Sequence, residues 1–375
     1  MRFVLLTWGS RGDVEPLAGL ARKLQEYGAE AVLCAPPDEE FRALAARAGV
    51  ELVPVGRSVQ SVVNNPKPPS REAALKLAPE LVAARFDVLP KVAEGAEAIV
   101  ATGLMPAGAR DVAEKLGIRY EFASFHTLGM PPEGTNALYL EALNTQRAAI
   151  GLPPIDDVRA YVRGDQPWLA SDPTLWPADI PEVLQLGAWT LPDDRPLPAD
   201  LEAFLDAGEP PVYVGFGSMA SHAPKDIARL TTEAARAHGR RVLLNRGWAD
   251  IAAIDDQKDT LVIGEVNQQA LFPRVATVIH HGGAGTTTTA AKAGTPQLVV
   301  PRIVDQPRWA ARVAELGIGF AHQDPDPTLE SLTSALTTTL ASETRARAQA
   351  LAPTINTDGT TRAAELLLSG AVRER

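Results

Sequence analysis

The chain has 375 residues, of which 45% are hydrophobic and 22% charged, and this composition is typical of a soluble globular protein with room for two domains. Its formal net charge is −10 at pH 7, and lysine and arginine are not concentrated in any stretch, which argues against nucleic acid as a partner. The single cysteine, Cys34, excludes an intramolecular disulfide and a cysteine-rich metal site.

The sequence carries no pattern for secretion or for a membrane span. Its N-terminus lacks the length and the small-residue cleavage site of a signal peptide, and no apolar stretch approaches the roughly 20 residues that cross a bilayer. We therefore expect a cytoplasmic protein with no membrane partner.

In the N-terminal half, apolar runs that predict strands alternate with amphipathic runs that predict helices. This alternation predicts a parallel sheet with helices on both faces, which is an α/β fold. The predicted strands are 3–7, 30–35, 51–55, 98–101 and 119–123, and the predicted helices are 16–27, 39–48, 71–92 and 107–116.

Two irregular segments interrupt the pattern. Residues 55–72 are rich in proline, asparagine and serine, and we expect them to form a wall or lid of a substrate pocket. Residues 191–211 combine prolines with acidic residues, which is typical of a semi-rigid linker between domains.

A second α/β pattern follows this segment, and the chain closes on an amphipathic helix pattern at 359–373. The predicted elements of the second half are strands 212–214, 242–244, 261–263, 275–279 and 298–300 and a helix at 223–237. The predicted divisions are a Rossmann-like N-terminal domain (1–190), a proline-rich linker (191–211), a Rossmann-like C-terminal domain (212–357) and a closing helical segment (358–375).

A glycine-rich turn joins the predicted strand 275–279 to an alanine-rich helix. Glycines remove Cβ atoms where a ligand must meet bare backbone, and the N–H groups and dipole of a helix N-terminus favour an anion. Neighbouring imidazole and hydroxyl groups add hydrogen-bond donors, so a phosphate or diphosphate is the natural ligand. The residues of this candidate site are His280, His281, Gly282, Gly283, Ala284, Gly285, Thr286 and Thr287.

Downstream of the turn come Gly294, Pro296-Gln297, an apolar run at 298–300 and Asp305-Gln306. Together with the turn, these residues resemble the donor-sugar signature of the family 1 glycosyltransferases. The resemblance covers about forty-five residues at near-continuous spacing. It implies the GT-B fold, in which two Rossmann-like domains face each other across a cleft and a C-terminal helix crosses back to the N-terminal domain.

The same resemblance implies roles for further residues of the second half. Ser218, after the strand at 212–214, matches a second contact to the donor diphosphate. Arg246, Trp248 and Val266 fall where the family binds the nucleobase, with the aromatic ring for stacking and the backbone of Val266 for hydrogen bonding. A half-buried core position is an equally good interpretation of Trp248. Asp305 and Gln306 match the acid and amide that bind hydroxyls of the transferred sugar.

A second candidate site follows the first strand, in the loop Gly9-Ser10-Arg11-Gly12-Asp13. Ligands of open α/β sheets bind at the carboxyl ends of the strands, so Asp13 faces the expected cleft. A carboxylate there is suited to take the proton of an attacking hydroxyl, whereas the alternative is that Asp13 caps the following helix.

The loop resembles that of bacterial glycopeptide-antibiotic glycosyltransferases of the vancomycin and teicoplanin type, in which the matching Asp is the general base, and similar loops occur in sterol enzymes. By this resemblance Ser10 and Gly12 also line the cleft, and we count them with the donor-binding residues.

The predicted function is therefore inverting transfer of a sugar from a UDP- or dTDP-sugar to a hydroxyl of a hydrophobic glycopeptide-antibiotic aglycone. In this mechanism Asp13 is the base, and fixed donors at the glycine-rich turn stabilise the leaving diphosphate. We expect a monomer without a cofactor or an essential metal. Asp324-Pro325-Asp326 spells a metal-binding pattern of another glycosyltransferase fold, but GT-B enzymes do not need it.

Other functions remain open on the sequence alone. The acceptor could be a macrolide, another polyketide or a sterol, and a non-catalytic nucleotide-sugar-binding partner protein would share the same fold. A nicotinamide dehydrogenase is disfavoured, because no G-x-G-x-x-G follows the first strand with an acidic residue about 20 positions on.

Overall fold

A computed structural model of the chain describes residues 1–63, 71–103, 105–126, 134–217, 226–247 and 253–370. The predicted site residues Ser218 and Trp248, and most of the proline-rich part of segment 55–72, lie outside the described residues. The chain forms two compact units, each built on its own parallel sheet. The first unit comprises Met1–Pro173, Pro177–Leu191 and Asn356–Arg375, and the second comprises Thr174–Trp176 and Pro192–Ile355.

The first unit holds a seven-stranded sheet in which every pairing is parallel. The strands lie in the order β3-β2-β1-β4-β5-β6-β7, so the order reverses between β1 and β4. Their bounds are β1 Arg2–Leu6, β2 Glu30–Ala35, β3 Glu51–Pro54, β4 Ala98–Ala101, β5 Arg119–Ser124, β6 Trp168–Leu169 and β7 Leu184–Gln185.

Among the described residues, seven helices connect these strands. Their bounds are α1 Arg11–Glu26, α2 Glu39–Ala48, α3 Val59–Val63, α4 Arg71–Val92, α5 Ala109–Leu116, α6 Thr135–Ala149 and α7 Val158–Arg163. The central strands are buried along their length, because a parallel sheet covered on both faces needs continuous apolar runs, such as that of β4.

The second unit repeats this plan with six parallel strands in the order β10-β9-β8-β11-β12-β13. The strands are β8 Val212–Gly215, β9 Val242–Asn245, β10 Thr260–Ile263, β11 Thr277–His280, β12 Gln297–Val299 and β13 Gly319–Ala321. Here the order reverses between β8 and β11, and in an open α/β sheet ligands bind at such a reversal, outside the carboxyl ends of the strands.

The helices of the second unit are α8 Ala199–Asp206, α9 Ile227–Ala237, α10 Gln268–Leu271, α11 Ala284–Lys292, α12 Gln306–Glu315, α13 Leu329–Thr339 and α14 Ser342–Leu351. Short 3-10 turns occupy Phe272–Arg274 and Ala352–Thr354. The segment predicted as a linker is more structured than expected, since it contains α8. Leu197, Leu201 and Leu205 bury their side chains in the core of this unit, which fixes the segment there.

The closing helix, α15 Gly359–Leu368, belongs to the first unit and packs against α1. Arg119 donates from Nη2 to the carbonyl of Leu367 at 2.6 Å, and Trp189 pairs with Asp358 in an antiparallel bridge. The α/β fold with two Rossmann-like sheets and a returning C-terminal helix is thus confirmed.

Candidate active site

The first turn of unit one places Asp13 inside a helix rather than ahead of it. Helix α1 begins at Arg11, five residues before the predicted start at 16, and Ser10 is its N-cap. The backbone N–H of Ser10 donates to Asp13 Oδ2 at 2.8 Å, and the Ser10 hydroxyl lies 3.4 Å from the same oxygen. This capping arrangement satisfies a backbone donor at the helix start and fixes the carboxylate in the turn.

Gly9 is the residue against which this carboxylate lies. A Cβ atom at position 9 would be 2.5 Å from Asp13 Cγ, closer than any real contact of that kind, so only glycine leaves the carboxylate in place. A Cβ at Gly12 would meet Ser10 Oγ at an ordinary 3.6 Å. Arg11 pairs with Glu15 at 2.6 Å along the helix.

The loop after β1 borders the loop after β4, which is the point where the strand order reverses. Gly103, with φ +95°, lies against it: a Cβ at Gly103 would be 3.2 Å from both Thr7 Oγ1 and the Trp8 carbonyl. Asp13 is therefore held at the carboxyl edge of the sheet, where the topology favours a ligand.

In the second unit, the two adjacent histidines have different environments. His280 ends β11 and is fully buried, with Nε2 2.9 Å from Gln297 Oε1 and Nδ1 accepting from the Gly282 N–H at 3.1 Å. Burial lowers the pKa of His280 to about 3, so the ring is neutral at pH 7. Its two nitrogens are committed to the strand and the turn, and His280 shapes the site without serving as a donor to a ligand.

His281 faces the glycine-rich surface instead. Its Nε2 lies 2.6 Å from where a Cβ of Gly283 would be, and its Cε1 lies 3.7 Å from the corresponding point at Gly217. Burial lowers the pKa of His281 to about 4, and its Nδ1 has no hydrogen-bond partner among the described residues. A neutral imidazole between two bare backbone turns is suited to donate to one phosphate oxygen.

Glycines let the turns after β8 and β9 approach each other backbone to backbone, and let the turn after β11 pack against β12. Gly247, with φ +51°, lies so close to Gly217 that a Cβ would be 2.6 Å from the Gly217 carbonyl oxygen. Gly282, with φ +94°, would place a Cβ 2.8 Å from Val299 Cγ1. The left-handed backbone and the close approaches both require glycine at these positions.

Helix α11 starts directly behind His281, with Gly283 as its N-cap. Its first-turn N–H groups, from Ala284, Gly285 and Thr286, have no partner inside the helix. The Thr287 side chain is fully buried, and its hydroxyl donates to the Gly283 carbonyl at 2.9 Å. Of the two threonines, we carry only Thr286 forward as a hydroxyl donor to the ligand.

Asp305 and Gln306, at the start of α12, are each held by their own hydrogen bonds. Asp305 Oδ2 accepts from the indole Nε1 of Trp309 at 2.8 Å. Gln306 is buried, and its Oε1 accepts from the backbone N–H groups of Arg302 and Ile303 at 2.9 and 3.1 Å. Gln306 therefore fixes the loop through its oxygen, which leaves only its amide nitrogen suited to a sugar hydroxyl.

The predicted nucleobase residues follow β9 and β10. Arg246 is exposed and its backbone N–H donates to the Ile263 carbonyl at 2.9 Å. Val266 packs its side chain into the core and immediately precedes Asn267, the N-cap of α10. Asn267 also donates to the Asp193 and Arg195 carbonyls at 2.6 and 2.9 Å, so the loop carrying Val266 is anchored at its far side.

Asp324 and Asp326, set aside in the sequence as a metal pattern, have local partners: Asp326 pairs with Arg302 at 2.7 Å, and its N–H donates to Asp324 Oδ1 at 2.9 Å. Over the described residues, no group of three or more His, Cys, Asp or Glu side chains is placed to hold a metal ion. In the same part of the chain, no helix has the length and apolarity to cross a membrane.

Comparison with known proteins identifies the family. Residues 3–125 match the model of the glycosyltransferase family 28 N-terminal domain, and residues 246–361 match that of the erythromycin biosynthesis protein CIII-like C-terminal domain. Glycosyltransferase GtfE of Amycolatopsis orientalis is 51% identical, over 100% of this chain and 99% of the relative. The vancomycin aglycone glucosyltransferase of the same organism is 48% identical over the same shares. The chain belongs to this family of GT-B glycosyltransferases.

A further relative and two solved structures complete the comparison. The dTDP-epi-vancosaminyltransferase of Amycolatopsis orientalis is 48% identical over 93% of this chain and 92% of the relative. The glycosyltransferase VinC in complex with dTDP superposes with a TM-score of 0.74 at 20% identity, covering 99% of both chains. The kitacinnamycin glycosyltransferase gives 0.76 at 20% identity and 98% of both chains, and these structures show the shared fold.

Sequence analysis of this glycosyltransferase missed the roles of three residues that shape its site. Gly9 was noted only as part of a loop, and its contact with Asp13 depends on where α1 begins. The structural role of His280 depends on Gln297, which lies on the neighbouring strand. Trp309 was the one with a local signal, since it follows Asp305 by four residues, the spacing at which side chains meet when a segment is helical.

Proposed function

We propose that this glycosyltransferase transfers a sugar, with inversion, from a UDP- or dTDP-sugar to a hydroxyl of a glycopeptide-antibiotic aglycone. The observation that carries the acceptor assignment is the identity of 46–51% to relatives of Amycolatopsis orientalis that span the full length, one of them named for the vancomycin aglycone. The enzyme would act in the cytoplasm as a monomer, with residues 1–190 binding the acceptor and 212–357 the donor.

In the proposed reaction, the acceptor oxygen attacks the anomeric carbon as Asp13 takes its proton, and the bond from that carbon to the diphosphate oxygen breaks. Attack from the face opposite the leaving group turns an α-linked donor into a β-glycoside. The turn at Ser10 supports this role, because it holds the carboxylate at the carboxyl edge of the first sheet.

The nucleoside diphosphate leaves with a developing negative charge that fixed donors must stabilise. We assign this task to the N–H groups of Ala284, Gly285 and Thr286, the neutral ring of His281, and Ser218. The start of α11 at Ala284, with Gly283 as its N-cap, supports the assignment, because the N–H groups and dipole of a helix N-terminus favour a phosphate. Arg246, Trp248 and Val266 would bind the base, and Asp305 and the Gln306 amide would bind sugar hydroxyls.

Product formation tests the proposal. The enzyme is incubated with a vancomycin-type aglycone and a panel of UDP- and dTDP-sugars, and a mass gain of one sugar is measured by mass spectrometry. Asp13→Ala should lower the rate by about 10² to 10⁴, the usual contribution of a general base. Glu15→Gln is the matched control, because it removes a carboxylate from the same helix turn that only pairs with Arg11 and should retain the wild-type rate within a few-fold.

Three results would count against parts of the proposal. Loss of activity in EDTA, restored by a divalent ion, would contradict metal independence. Nucleotide binding without transfer to any glycopeptide aglycone would overturn the acceptor assignment. Transfer that is unaffected by Asp13→Ala would remove the base from Asp13.

A further inference from the structure

A three-residue segment, Thr174–Trp176, belongs to the second unit although the chain on both sides of it belongs to the first unit. Leu175 and Trp176 are each only 1% exposed, so the segment is embedded and not merely lying on the surface. The sequence analysis assigned no role to this buried tryptophan.

The contacts of the segment converge on helix α12. The Trp176 ring packs on the Trp309 ring with centroids 4.8 Å apart and planes at 50°. The Arg308 guanidinium lies 4.4 Å from the Trp176 ring centroid, and Arg312 donates from Nε to the Thr174 carbonyl at 2.7 Å. Three residues of one helix therefore hold this segment, and the segment in turn fixes the Trp309 ring.

Trp309 connects this packing to the candidate sugar site. It is 1% exposed, and its only polar atom, the indole Nε1, donates to Asp305 Oδ2 at 2.8 Å. An aspartate with one oxygen fixed in this way has a fixed direction for the other. Moving the Trp309 ring would therefore move the carboxylate that is assigned to the sugar hydroxyls.

The backbone next to Asp305 shows that the loop needs such support. Val304 has φ +53° and is 61% exposed, and a β-branched residue seldom adopts this left-handed conformation. Strained backbone of this kind persists only where its surroundings determine it. Gln306 holds the loop on one side of Val304, at residues 302 and 303, and Trp309 holds it on the other through Asp305.

We propose that Trp176 is a positioning residue for the transferred sugar, acting through Trp309 on the direction of the Asp305 carboxylate. This proposal rests on the proposed function, in which Asp305 binds donor hydroxyls. Recognition of the sugar would then depend on a segment that lies outside the continuous part of the second unit, Pro192–Ile355. The proposal predicts that Trp176 affects binding of the sugar but not binding of the nucleotide.

The test compares Trp176→Leu, Trp176→Phe and Trp309→Phe with the wild-type enzyme. The readouts are kcat/KM for an NDP-glucose that the enzyme uses, kcat/KM for the matching donor that lacks the sugar hydroxyl bound by Asp305, and the Kd of the NDP alone. Asp305→Asn, measured on a series of monodeoxy donors, identifies that hydroxyl. Trp309→Phe keeps a ring and removes the hydrogen bond to a charged group, so kcat/KM for NDP-glucose should fall by about tenfold or more.

Trp176→Leu should lower kcat/KM for NDP-glucose in the same direction, and Trp176→Phe, which keeps an aromatic contact, should recover part of it. The double variant Trp176→Leu/Trp309→Phe should be no slower than Trp309→Phe, since both act on one carboxylate. The deoxy donor and the NDP should show little change. If Trp176→Leu does not fold, the comparison of Trp176→Phe with Trp309→Phe on the two donors decides.

An equal loss with the deoxy donor, a parallel loss of NDP affinity, or additive losses in the double variant would overturn the proposal and leave Trp176 a packing residue. The underlying assignment is tested separately by Asp305→Asn. If Asp305→Asn has no effect on NDP-glucose kinetics, the assignment of Asp305 fails. If Asp305→Asn is slow and the Trp176 variants are not, only the positioning role fails.

Discussion

Gly9 is the residue that allows the Asp13 carboxylate to occupy its position in the first turn. Any side chain at position 9 would overlap this carboxylate and turn it away from the Ser10 N–H. A displacement of about 1 Å in a reacting group costs on the order of 100-fold in rate. We therefore expect Gly9→Ala to lower kcat by about that factor while the Kd for the nucleotide is unchanged, measured by steady-state kinetics and titration calorimetry.

A double-mutant cycle with Asp13→Asn separates this effect from a general disturbance of the fold. If Gly9 acts through Asp13, then Gly9→Ala should have little effect once the carboxylate is gone. A full additional loss in the Asp13→Asn background would show that Gly9 supports the domain rather than the base.

For single residues, the sequence predicted which residue types form the site better than it predicted the role of each one. Glycines before a helix start are a local pattern, so the turn at 282–285 was found without a structure. The division of labour between His280 and His281 was not found, because it depends on Gln297, a partner on the next strand. The sequence also did not show that the Thr287 hydroxyl donates to the Gly283 carbonyl from a fully buried side chain, while its neighbour Thr286 is half-buried.

Among the elements, α15 begins with a glycine that packs tightly against the chain before it. Gly359 lies directly against the Gly187 carbonyl, and a Cβ there would also be 2.8 Å from Trp189 Cδ1. Gly359→Ala should therefore push the start of α15 away from Gly187 and Trp189. We expect it to lower the free energy of unfolding of the first unit by about 1–3 kcal/mol, the usual cost of overpacking. Chemical denaturation followed by circular dichroism would measure it.

Gly264→Ala is the matched control for this prediction. A Cβ at Gly264 would meet nothing within 4 Å, and the backbone of Gly264 is not left-handed. The stability of the Gly264→Ala variant should therefore stay close to that of the wild type. Equal stability of the two alanine variants would contradict the tight contact at Gly359.

The predicted bounds of helices and strands agree with the structure where the apolar periodicity is strong. They differ where polar contacts determine the start of an element. The bounds of β2, β4, α2 and α4 are as predicted, whereas α1 starts early because Ser10 and Asp13 form its cap. The sequence analysis assigned nothing to α6 and α7. Helix α6 buries Arg147, which pairs with the buried Asp111 at 2.6 Å, and a buried cation interrupts the apolar pattern on which helix prediction depends.

At the scale of the whole molecule, the order of the six-stranded sheet matches that of the first six strands of the seven-stranded sheet, and the sequence predicted five strands of each from their alternating patterns. The two units are not two continuous halves of the chain, since residues 356–375 belong with the first unit and residues 174–176 with the second. The return of the C-terminal helix was inferred from family resemblance. The 174–176 segment left no pattern, because three embedded residues are too few to show periodicity.

The stability of the second unit should depend on pH through two adjacent histidines, His280 and His281, whose pKa values are lowered by burial. Burial holds the folded-state pKa of His280 at about 3 and that of His281 at about 4, below the value of 6.5 expected in the unfolded chain. Between these values the unfolded chain binds more protons, so acid favours unfolding. The stabilisation is fully present above about pH 6.5 and is lost progressively as pH falls towards 4, by on the order of several kcal/mol.

Urea unfolding at pH 7, 5.5 and 4.5 measures this dependence, with unfolding of the two units analysed as separate transitions because multidomain chains need not unfold in one step. His281→Asn removes one of the two titrating groups, so the loss of stability between pH 7 and 4.5 should be smaller than in the wild type. Carboxylates whose pKa values lie lower, such as Asp255 beside Arg236 at about 2, act mainly below this window. An identical pH slope in the His281→Asn variant would mean that the pKa of His281 is the same in the folded and unfolded chains, which would contradict its lowering by burial.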